Sequence, residues 1–105
     1  METVKNYLID WVKQFIKNKD LVTNTIQSIE ENKENAELVI TRTDKVQYVF
    51  VQPILKNPES FFEKLNKEHH QLLFLLNNPD NIKALQEHWN TIKHLPFLTV
   101  YFINP

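Results

Sequence analysis

The chain has 105 residues, of which 42% are hydrophobic and 24% charged, with a formal net charge of −1. That describes one ordinary globular domain, large enough to bury a core, and it lacks the basic footprint of a dedicated nucleic-acid binder. There is no glycine and no cysteine, which excludes the glycine-dependent phosphate loop, dinucleotide fingerprint and nucleophile elbow, and with them disulfides, thiolate nucleophiles, zinc ribbons and iron–sulfur clusters.

In chain order, residues 3–19 predict an amphipathic helix. Val4, Tyr7, Leu8, Trp11, Val12, Phe15 and Ile16 recur at three- and four-residue spacing, and Lys5, Asp10, Lys13, Gln14 and Lys17 fall on the other side. Trp11 and Phe15 are expected to pack in the core. A first strand near Thr25–Glu31 is weakly patterned, because Ile26 and Ile29 do not alternate. A polar turn at Glu31–Asn35 leads into Ala36–Thr43, which alternates well. After a short turn at Thr43-Asp44-Lys45, Val46–Gln52 is rich in β-branched and aromatic residues. These three strands predict an antiparallel meander.

Asn57-Pro58-Glu59 has the form of a helix start: a capping side chain, proline at the first helical position, then an acid near the positive end of the dipole. The helix is expected to run to about Lys67 and to bury Phe61, Phe62 and Leu65. Leu72–Leu76 is a continuous apolar run suited to a strand buried on both faces. Asn78-Pro79-Asp80 repeats the helix-start signal, and Ile82, Leu85, Trp89 and Ile92 are expected to line one face of a third helix. Phe97–Ile103 reads as a last strand. Strands joined through helices become parallel neighbours, so the expectation is an α/β domain over residues 1–105 in the order α-β-β-β-α-β-α-β. It would be a mixed five-stranded sheet with helices on both faces. A ferredoxin-like sandwich leaves the leading helix and the three-strand run unexplained.

This element order resembles the PD-(D/E)XK nuclease superfamily, the restriction-endonuclease-like fold. Ala36-Glu37-Leu38-Val39-Ile40 is similar to the first half of its signature, with Glu37 at the acid position and Ala36 in place of proline. Val49-Phe50-Val51-Gln52-Pro53-Ile54 is similar to the second half, but Gln52 stands where the second acid belongs and Ile54 where the lysine belongs. Active members hold a divalent cation between two carboxylates. The metal activates water, and the lysine supports the nucleophile. The resemblance therefore implies a nuclease-like domain that has lost its catalytic set, acting as a non-catalytic binding or assembly module associated with nucleic acid and needing no cofactor. The alternative is a Mg- or Mn-dependent nuclease with a migrated site: Glu37 as metal ligand, Gln52 as neutral ligand or water positioner, Lys56 as displaced lysine, and Glu30 within reach from the first strand.

Other constellations are weaker. His69 and His70, adjacent at a strand start, are expected to point to opposite faces and cannot share one metal. His88 and His94 lie across a helix end near Glu87, where exposed or capping roles outweigh a metal site. Ser28 and Ser60 lack a nucleophile context. Glu30, Glu31, Glu34 and Glu37 read as a solvated hairpin end, beside which Lys13, Lys17, Lys19 and Lys33 could form a modest basic patch. Arginine is scarce, with Arg42 alone against eleven lysines, and the twelve asparagines read as codon or surface bias. The last strand, with Phe97, Tyr101 and Phe102, is expected to be an edge covered by a protein partner or a second copy. The N-terminal pattern is amphipathic and no stretch is apolar enough for a membrane span, so the expected location is cytoplasmic.

Overall fold

The protein is described from a computed structural model, which covers residues 2–33 and 36–104. Helix α1 (Glu2–Thr23) is followed by strands β1 (Ile26–Lys33), β2 (Ala36–Arg42) and β3 (Val46–Gln52). Then come α2 (Pro58–Glu63), β4 (His70–Leu76), α3 (Pro79–Glu87), α4 (Trp89–Ile92) and β5 (Leu98–Ile103). The five strands form one mixed sheet in the order β1-β2-β3-β4-β5. The first two pairings are antiparallel and the last two parallel. The expected α/β architecture and element order are therefore present. Part of the predicted turn at Glu31–Asn35, including Glu34, lies outside the described residues, and β1 runs on to Lys33.

Alternation along the central strands divides the core into two layers. Val49 and Val51 of β3, with Leu72 and Phe74 of β4, face α1 and meet Leu8, Val12 and Ile16. Leu73 and Leu75 face the opposite side and meet Leu55, Phe62 and Leu95. The continuous apolar run of β4 is thus explained by helices on both faces. The buried stripe of α1 is narrower than its periodicity suggests, since Val4 is 46% and Tyr7 60% exposed. Trp11 and Phe15 stack on each other at 5.3 Å along the border of the α1 layer, partly buried against it.

The poor alternation of β1 has a geometric cause. Between Ile26 and Ser28 the register advances two residues on β1 for one on β2, since Ile26 faces Arg42 and Ser28 faces Thr41. This bulge shifts the pleat by one position, so Ile26 and Ile29, three apart, both pack on the α1 side.

Three sequence expectations need correction. Asn57 does not cap α2. It sits in the left-handed region (φ 47°, ψ 57°) and its side chain makes no capping hydrogen bond, so α2 starts with Pro58 and the acidic Glu59 in its first turn but no side-chain cap, and it ends at Glu63, short of Lys67. Asn78, in extended conformation, does cap α3, accepting from the Asn81 N–H at 2.8 Å. The predicted third helix is broken at His88, whose φ of −107° and ψ of 17° leave the helical region. Leu85 and Ile92 still pack on the α2 side, but Ile82 and Trp89 are 39% and 59% exposed. Finally, the asparagines are more than a surface bias. Among the described residues the non-glycine positive-φ positions are Asn24, Asn32 and Asn57. In a chain without glycine, asparagine is the residue that enters this region at least cost.

Candidate functional site

A groove of about 460 Å³ opens on the α2 face of the sheet, within the roughly 300–1,000 Å³ of small-molecule sites. Its floor is built by strand pairing. Tyr48, Phe50 and Gln52 alternate along β3, and Gln71 of β4 lies in register beside Tyr48. Its wall is Phe61 of α2 and the turn that follows, with Lys64, Leu65, Asn66 and His69. The Asn66 side chain accepts from the Glu68 N–H at 2.9 Å, and its carbonyl accepts from the His69 N–H at 3.1 Å. That turn lays the His69 ring over Tyr48, with centroids 4.5 Å apart and planes within 18°. Phe61 meets Phe50 edge-on at 5.3 Å.

Gln71 is the residue of note in this groove. It is only 3% exposed, yet among the described residues no hydrogen bond uses its side-chain amide, and its remaining surface opens into the groove. Among the described residues no buried side-chain nitrogen or oxygen lacks a partner, so the Gln71 amide keeps its access to water through the mouth of the groove. Sequence reasoning passed over Gln71. The available signal was a lone polar residue opening an apolar run in a strand buried on both faces.

Of the residues singled out from sequence, Gln52 and His69 line this groove, and Glu37 and Lys56 do not. The Glu37 carboxylate accepts from the Val51 N–H at 2.5 Å and lies 3.8 Å from the Lys5 ammonium of α1. Burial raises its carboxyl above the usual glutamate range, against the lowering effects of Val51 and Lys5. Gln52 lines the groove on the α2 side, while Lys56 and Ile54 are exposed in the loop after β3. Among the described residues no hydrogen bond or ion pair joins Glu37 to Gln52 or Lys56, and no three His, Asp or Glu side chains gather as a metal site.

The other candidates have local partners. Glu30 pairs with Lys33 and Glu31 with Lys13, each at 3.1 Å. Lys19 lies over the Phe15 and Tyr101 rings at 5.2 and 5.6 Å. His69 stacks on Tyr48, and His70 packs against Phe97 at 4.6 Å. His88 sits 6.3 Å from Phe62 at the α3–α4 break, and His94 is exposed. Ser28 is exposed on β1, and Ser60 is exposed within α2.

No protein family, curated protein or solved structure matches the chain. The groove and the chemistry of its lining therefore carry the functional argument.

Proposed function

We propose that the chain is a non-catalytic binding module on a nuclease-like fold, with the groove between β3, β4 and the turn after α2 as its working surface. The Gln71 side chain, packed into the floor with its amide open to the groove and engaged by no protein hydrogen bond among the described residues, carries this reading. The order of elements supports the fold assignment. The engagement of Glu37 by Val51 and Lys5, with Glu37 outside the lining of the groove, supports a binding role over the migrated-nuclease alternative.

The test is a series of ¹⁵N-resolved spectra of the full chain with a library of small polar aromatic fragments. Expected is a cluster of shifts at Gln71, Tyr48, Gln52 and His69. Binders that shift only other surfaces would refute the reading. So would Mg- or Mn-dependent cleavage of DNA that Glu37→Ala abolishes, which would install the nuclease in its place.

A second mode of association rests on β5. This strand pairs on one side only, and Phe97 and Phe102 on or beside it are 46% and 41% exposed. Unpaired edges of this kind template pairing with another chain, so the proposal includes assembly with a protein partner or a second copy through β5. Light scattering across a wide concentration range checks the second copy. A mass of one chain throughout would remove self-association from the proposal.

A further inference from the structure

We infer that the groove takes a single nucleotide unit, with the base held against its aromatic rings, the base edge on the Gln71 amide, and one phosphate at Lys64. The inference rests on the groove being the binding surface and names the class of its ligand.

A glutamine amide carries donors and an acceptor side by side, and Gln71 presents them from the groove floor with no protein partner among the described residues. A ligand that satisfies both must offer an adjacent acceptor and donor on one rigid edge. Nucleobases do this, and the bidentate pairing of glutamine with adenine is one example. Gln52 extends the same polar floor along β3.

Aromatic surface surrounds that amide. Tyr48 with His69, and Phe50 with Phe61, bring four rings to the same groove. Single bases are held on such surfaces by stacking, which tolerates any base because each has a π-face.

Among the described residues Lys64 is the only lysine or arginine in the lining, and no carboxylate lines the groove. Sugars and proline-rich peptides also use aromatic grooves, but neither brings an anion to meet that lysine. One cation suits one phosphate. A duplex would need a basic track, and the only arginine, Arg42, is engaged by Asp20 and Gln47. A free nucleotide and one residue of a single strand share this chemistry.

The experiment is an NMR titration of the full chain with the four nucleoside 5′-monophosphates, the parent nucleosides, ribose 5-phosphate and short single-stranded oligonucleotides. Cellobiose and a proline-rich peptide serve as controls. Expected are shifts of the Gln71 side-chain NH₂ and of the Tyr48, Gln52 and His69 amides with the monophosphates, and none with ribose 5-phosphate. Lys64→Ala, at an exposed position, should weaken monophosphates about tenfold through the lost charged hydrogen bond and leave nucleosides unchanged. Gln71→Leu should remove discrimination among bases. An oligonucleotide binding much more tightly than the monomer would identify a strand as the source, and equal affinity a free nucleotide. Groove shifts with cellobiose or the peptide and none with nucleotides would overturn the nucleotide assignment and leave the binding module standing. Nucleotide binding unaffected by Lys64→Ala and Gln71→Leu, or mapped elsewhere, would also overturn it.

Discussion

The Arg42 guanidinium donates to the Asp20 carboxylate at 3.2 Å, joining the last turn of α1 to the end of β2. Asp20 also accepts from the Thr25 and Ile26 N–H groups at 2.8 and 3.1 Å and from the Thr23 and Thr25 hydroxyls at 2.9 and 3.0 Å. Arg42 reaches onward to Gln47 of β3 at 2.6 Å. One carboxylate thus closes the turn into β1, and the single arginine of the chain is used to build the fold.

The Asp20 network makes stability depend on acid pH. Burial by itself pushes the Asp20 carboxyl up, but the Thr25 and Ile26 amides and the threonine hydroxyls outweigh it and hold it at about 2, below the ordinary 3.8. A folded-state pKa that is lowered contributes stability in full above the ordinary carboxylate range, and loses it as pH falls toward the folded value. Denaturant midpoints should therefore drop between about pH 4 and pH 2 in the wild type. Asp20→Asn should be less stable at neutral pH and lose much of that dependence.

Asn81 should be the most sensitive polar position. It is 1% exposed. Its Oδ1 accepts from the Leu55 N–H at 2.9 Å, and its Nδ2 donates to the Pro53 and Leu76 carbonyls at 2.9 and 2.8 Å. Asn81→Leu keeps the forked shape but replaces both polar atoms with bulkier methyls and strands these buried backbone groups, and should cost about 3 kcal/mol in urea unfolding. Asn81→Asp keeps the acceptor and sets an anion against two carbonyl oxygens, so it should also destabilise.

The left-handed asparagines make a prediction of opposite sign for two substitutions at one site. Asn57→Ala places a β-carbon without a compensating amide at φ 47° and should cost about 1 kcal/mol. Asn57→Gly should be neutral or slightly stabilising, since glycine meets no steric penalty there. Thermal melts of the pair, and of the same pair at Asn24 (φ 51°), check the ordering.

Glu37 should behave as a structural acceptor. Its raised folded-state pKa means that the ionised form is disfavoured in the folded chain. That penalty applies above the folded pKa and disappears as pH falls through it. Glu37→Gln keeps an oxygen for the Val51 N–H and should be at least as stable as wild type at pH 7. Glu37→Ala removes the acceptor and should cost about 1–2 kcal/mol. Equal losses in both variants would show that the negative charge itself is required.

Periodicity made most of the architecture legible. The three- and four-residue spacing of Leu8, Val12 and Ile16, the alternation of β2 and β3, and the all-apolar Leu72–Leu76 each report a local face, and a local face is what sequence spacing encodes. The bulge in β1, the break at His88 and the left-handed Asn57 escaped because each depends on how a segment meets its neighbours. The groove escaped for the same reason. Tyr48, Gln71 and His69 are scattered over some twenty positions of the chain, and the parallel register of β3 with β4 and the turn after α2 bring them together. Residue spacing and order are enough to say which residues can be buried and how the elements follow one another. Which polar groups are paired in the core, as Asn81 is, and which open into the groove, as Gln71 does, depends on the pairing of distant strands and on the surface those strands leave open, and that emerges in three dimensions alone.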